Sequence, residues 1–170
     1  LDGDTDEGAC QTARALAALS PDTMRIYPTV VLKGTALYER MQKGLFCPQG
    51  LEGAVMLCAR LLAFFEGRGI PVIRLGLHDS SEVRANLAGG AFHPAFRELC
   101  EGELYRQAAC KALQGRPRGA YLLRVAPGCL SKMTGQGRRN LIGLQKAGYS
   151  CRVEESAVPV RYEVLCDGPV

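Results

Sequence analysis

One helical stretch bracketed by two strand-like runs constrains this chain more than any other feature. "LEGAVMLCARLLAFFE", residues 51–66, puts Val55, Cys58, Leu62 and Phe65 on one face at helical spacing, and Gly67 or Gly69 ends it. Before it comes "MRIYPTVVL" from Met24, rich in β-branched residues; after it comes "IPVIRLGL" from Ile70, which reads as a buried strand. A further helix starts the chain, with Asp4 as its N-cap and Glu7 three residues on, and runs through Ala/Leu-rich sequence to Leu19 and a stop at Ser20-Pro21-Asp22. A short helix is predicted from Thr35 to Lys43 and a turn at Cys47–Gly50. Residues 1–78 thus read helix–strand–helix–helix–strand, an α/β alternation that implies a parallel sheet. Pro28 marks a bulge or a free strand end.

The grammar then changes. "NLAGGAFHP" reads as a turn-rich loop, "PAFRELCEGELYRQAACKAL" as a helix and "QGRPRG" as a linker. "AYLLRVA" is a predicted strand, Pro127–Met133 a short helix, "TGQGR" a tight loop, "RRNLIGLQKAG" an amphipathic helix, and "SCRVEES" and "RYEVLC" two more strands. Charge divides along the same line. Residues 1–115 carry 12 Lys+Arg against 13 Asp+Glu, a balance of −1; residues 116–170 carry 9 against 4, a balance of +5. A basic second module points to a polyanionic partner.

Several chemistries are excluded. Lys33-Gly34-Thr35 is not a phosphate loop, because that motif needs glycines ahead of the lysine so that backbone N–H groups face the phosphates. A lysine at the carboxyl end of a parallel strand nevertheless stands where active sites collect, or is a solvated loop residue. Cys10, Cys47, Cys58, Cys100, Cys110, Cys129, Cys151 and Cys166 include no CxxC or CxxxC spacing, so no local metal chelate is expected in this chain, and the cysteines read as small buried hydrophobes in a reducing compartment. His78 and His93 are expected in structural or capping roles. No apolar run approaches the roughly 20 residues of a membrane span, and no basic-then-apolar segment of signal-peptide type is read in these residues, so the expected location is cytoplasmic with no membrane partner. Arg25 and Tyr27 alternate along their strand and share a side.

The loop Gly135-Gln136-Gly137-Arg138 sits between two helices of a β-α-α-β-β unit. That order resembles a KH domain, whose GxxG loop clamps nucleic-acid backbone; the fourth position here is Arg138 instead of glycine. Gly135, Gln136 and Gly137 would let backbone approach phosphates, with Lys132, Arg138 and Arg139 supplying charge. A protein-docking module of the same shape is the alternative.

Taken in order, "LDGDTDE", "RIYPTVVLKGTALYERMQKG", "IPVIRLGLHDSSE" and "GAFHPAFRELCEGELY" resemble the C-terminal half of radical S-adenosylmethionine proteins, most closely the bacterial Elongator-catalytic-subunit-like group and more distantly coproporphyrinogen dehydrogenase. The resemblance continues into "SKMTGQGRRNL". It implies an α/β fold: the C-terminal part of a partial (β/α) TIM-like barrel over residues 1–100, a helical linker over 101–118, and a small basic KH-like α+β domain over 119–168. It also implies a [4Fe-4S] cluster and S-adenosylmethionine in the parent enzyme, neither held completely by this chain, since the family's CxxxCxxC motif is missing. The chain is therefore expected to be a fragment that works with the N-terminal barrel half, itself inactive and without an assignable catalytic residue. Tyr27, Lys33 and Thr35, with Arg25, are expected at the cofactor or substrate rim. In the Elongator relatives the substrate is a wobble uridine of tRNA, so tRNA or another RNA is the expected partner. A non-enzymatic RNA-binding or scaffold protein and a tetrapyrrole-directed radical enzyme are the alternatives.

Overall fold

The structure, a computed structural model, describes residues 3–169, so Leu1 and Asp2 of the first motif lie outside it. The chain divides between Arg97 and Glu98 into two compact units.

In the first unit, α1 (Asp6–Ala18) is capped by Thr5 and not by Asp4: Thr5 is extended and its Oγ1 accepts from the Gly8 N–H at 3.0 Å. Asp4 instead accepts the Thr5 N–H through Oδ1, and Glu7 pairs with Arg14. The expected strand over 24–32 is two strands. Pro28 has no N–H to give a ladder, and the chain leaves the first sheet there. β1 (Met24–Ile26) runs parallel to β3 (Val72–Leu75), while β2 (Val30–Leu32) runs antiparallel to β4 (Leu87–Gly90). The parallel pairing expected around the 51–66 helix holds for β1 and β3; β2 departs from it.

Three elements position these strands. α2 (Ala36–Gln42) is capped by Thr35, whose Oγ1 accepts from the Tyr38 N–H at 3.2 Å. α3 (Leu51–Glu66) buries Ala54, Val55, Cys58, Ala59, Leu62 and Phe65 along one stripe and ends at Gly67. Burying a side chain such as Leu62 contributes about 1.5–3 kcal/mol, so this stripe is the main adhesive of the unit. α4 (Ser81–Asn86), absent from the sequence reading, is capped by Ser80 onto the Val83 N–H. β4 falls in the segment expected as a loop. It can pair because Gly90 adopts φ +89°, and a Cβ there would stand 2.6 Å from the Thr29 carbonyl oxygen. β3 is only half buried: Val72 and Leu75 point inward while Ile73 and Arg74 are exposed.

α5 (Phe96–Leu113) begins at the end of the first unit, where Arg97 donates to the Val72 carbonyl and pairs with Glu66. The second unit contains β5 (Gly119–Val125), α6 (Leu130–Thr134), a 3₁₀ turn (Gln136–Arg138), α7 (Arg139–Lys146), β6 (Tyr149–Glu155) and β7 (Leu165–Pro169). The sheet order is β6–β5–β7, with β6 parallel and β7 antiparallel to the central strand. Tyr121, Leu123 and Val125 alternate inward and pack with Met133, Leu144 and the Tyr105, Ala109 and Leu113 stripe of α5. The segment expected as linker therefore supplies part of this core. The last strand sits later than residues 161–166, because Tyr162 turns at φ +65° so that its N–H reaches the Tyr105 hydroxyl at 3.1 Å.

Candidate functional site

The first unit holds a cavity of about 630 Å³. Its walls come from the approach to α1, the exit of β1, the 45–49 segment and one face of α3. Asp6 is fixed here: its carboxylate accepts from the Gln49 amide at 3.1 Å, and its backbone carbonyl accepts from Arg60 at 3.3 Å. Arg60 also donates to the Cys10 sulfur. Cys58 lies buried in the α3 wall; burial first, then the Asp6 charge, pushes its thiol up to about 12, so it remains protonated. Cys47 is exposed on the opposite lip. Two acidic residues, a phenol, two thiols and an amide thus line one concavity, suited to a ligand with hydrogen-bond donors or positive charge.

Of the four expected rim residues, Tyr27 lines this cavity and is half exposed. Arg25 sits opposite Arg74 in the β1–β3 pair. Lys33 is exposed beyond the antiparallel β2, its N–H bound to the Asn86 carbonyl at 2.8 Å, so it does not end a parallel strand. Thr35 spends its hydroxyl on the α2 cap and on the Leu32 carbonyl. His93 accepts the Ala95 N–H through Nδ1 at 3.1 Å, the turn-capping role expected of it, and His78 is exposed. Next to His78, the Arg84 guanidinium holds the Asp79 carboxyl below its ordinary range. Sequence reasoning missed Asp6, Gln49, Cys47 and Cys58. Only the acidic "DTDE" segment signalled any of them.

In the second unit the glycine loop is built tightly. Gly135 ends α6 at φ +75°, and Asn140, buried, donates its amide to the Gly102 carbonyl at 2.8 Å and the Met133 carbonyl at 3.0 Å. Gly137 and Arg138 both turn left-handed, and Gly137 faces open space. Gln136, Arg138 and Arg139 are exposed. Lys132 is not among these outward cations: its Nζ pairs with the buried Glu101 at 2.8 Å. Behind Arg139, burial would raise the Glu103 carboxyl, but hydrogen bonds from Arg106 and Gln107, with the nearby arginine charges, hold it below its ordinary range. The loop can offer open backbone and two arginines to an anion.

The described residues do not fit an iron–sulfur cluster. No group of three His, Cys, Asp or Glu side chains converges among them, and the cysteines of the first unit lie on separate elements. No helix among the described residues is long and apolar enough to cross a membrane. Compared with known families, the sequence model of the Radical_SAM C-terminal domain matches residues 21–106, from just before β1 into α5. No curated protein matches the chain.

Proposed function

The chain belongs to the radical SAM C-terminal domain family, and from that premise we propose that it is the C-terminal portion of a radical S-adenosylmethionine enzyme of Elongator-like type acting on RNA, tRNA in particular. The family implies a [4Fe-4S] cluster and S-adenosylmethionine in the parent enzyme. Because no three potential ligands converge among the described residues, the cluster would belong to the barrel half that this chain completes. The parallel β1–β3 pair, joined by a crossover that contains β2, α2 and α3, supports the barrel reading as one helical crossover between parallel strands. The cavity beside the exit of β1 is then the stretch of cofactor or substrate wall that this chain contributes, with Tyr27, Asp6 and Gln49 orienting the bound molecule.

The observation that carries the RNA assignment is the loop of the second unit, in a β-α-α-β-β order of KH type, with Arg138 and Arg139 exposed directly after an unobstructed Gly137 backbone. Arginine suits phosphate by its planar donor fork. The test is tRNA binding by the full chain across a salt series. Arg138→Glu with Arg139→Glu is expected to lower affinity at least tenfold and to flatten the slope of log K against log salt by about 1.4, at about 0.7 per lost phosphate contact on single-stranded RNA. Binding unaffected by the double reversal, or no salt-dependent binding at all, would reject the assignment.

A further inference from the structure

Glu101, at 3% exposed, is the one buried charged side chain among the described residues, and two cations converge on it. Lys132 reaches one carboxylate oxygen at 2.8 Å and Arg161 the other at 2.6 Å; the Tyr162 hydroxyl stands 3.4 Å from the second oxygen, and Arg161 also lies over the Tyr162 ring. A carboxylate removed from water needs such partners, and a single cation would already balance its charge. Both cations keep part of their side chains in solvent, 30% for Lys132 and 47% for Arg161. They are therefore surface groups whose charged heads turn inward. Lys132 lies only three residues before Gly135 of the glycine loop. Arg138 and Arg139, by contrast, are exposed and make no ion pair among the described residues.

We propose that Glu101 is a built-in counter-anion that withholds Lys132 and Arg161 from the polyanion-binding surface, so that the loop arginines alone set how many phosphates are engaged. An approaching phosphate can recruit either withheld cation only by stripping a buried carboxylate of a partner, whereas Arg138 and Arg139 cost no such exchange. Glu101 would then determine specificity without touching RNA, keeping the surface from binding any polyanion indiscriminately. The inference rests on the RNA reading above and deepens it.

The experiment measures binding of the full chain to a uridine-rich single-stranded RNA oligonucleotide over a salt series, with circular dichroism reporting the fold of each variant. Lys132→Met and Arg161→Met are expected to leave the salt slope at the wild-type value. Glu101→Gln is expected to release Lys132 and steepen it by about 0.7, with tighter binding at low salt. Adding Lys132→Met to Glu101→Gln should remove that increase. A slope that falls by about 0.7 in Lys132→Met alone, or a folded Glu101→Gln with an unchanged slope, overturns the proposal while leaving RNA binding intact. If Glu101→Gln does not fold, the two methionine variants decide in the same way. No binding by the wild-type chain removes the RNA reading and this inference together, a result distinct from all the others.

Discussion

The two units bury their sheets differently. The first divides four short strands into two separate pairs, and its parallel pair exposes Ile73 and sets Arg25 beside Arg74. The second gathers three strands into one sheet, whose central β5 pairs along its whole length with β6 and over Tyr121–Arg124 with β7, and is covered by Tyr105, Met133 and Leu144. Two-stranded pairs are marginal in water, and parallel pairs are normally covered on both faces. The first unit therefore holds together through α1, α3 and the start of α5, with strand surface left over. The second holds together through its sheet. This difference fits the proposal that the first unit completes a larger barrel and the second is a self-contained binding module.

Replacing a central side chain in each sheet would break the comparison most sharply. Leu123→Ala, at a fully buried position of β5, should cost about 2–5 kcal/mol in urea unfolding. Ile73→Ala, on the open strand of the first unit, should stay within about 0.5 kcal/mol. Equal losses would mean that β3 is a core strand in solution. Next in size, Gly90→Ala should cost about 1–3 kcal/mol, because it strains a left-handed residue and drives a methyl group against the Thr29 carbonyl. Amide hydrogen exchange should show the loss confined to β2 and β4. Protection lost equally in β5 would contradict the division into two units.

A smaller effect separates a cap from a rim residue. Thr35→Ala should lower stability by about 1 kcal/mol, with Thr35→Ser restoring it, since the hydroxyl serves the α2 N-terminus. The smallest effect is on pH. The Glu103 carboxyl is held below its ordinary 4.5 in the folded chain, so its stabilisation is present above that pH and lost as the pH falls through the lowered folded value. Glu103→Gln should accordingly lower stability near neutrality, leave it nearly unchanged at strongly acid pH, and so make the acid side of the stability profile shallower.

How much of this the sequence disclosed follows from where the determining contacts lie. α3 was legible to the residue because its buried stripe and its terminal Gly67 are local. The β-α-α-β-β order of the tail was legible for the same reason, through Gly135, Gly137 and the alternation of Tyr121, Leu123 and Val125. The break at Pro28 was visible as a bulge or a strand end, but not as a change of sheet, because the second partner, β4, is disguised as a loop by its glycines. The cap moved from Asp4 to Thr5 because both are good cappers, and backbone geometry chose between them. The cavity brings together the segments around Asp6, Tyr27, Cys47 and Cys58, which have no common local pattern. Lys132 read as a free cation because its partner, Glu101, lies on a different helix.

The most direct test of the central claim is photo-crosslinking of tRNA to the full chain, with the attached peptides mapped by mass. Crosslinks are expected to concentrate on the peptides spanning Met133 to Asn140 and to be lost in the Arg138→Glu, Arg139→Glu variant. Crosslinks spread evenly over both units, or confined to residues before Arg97, would contradict that claim.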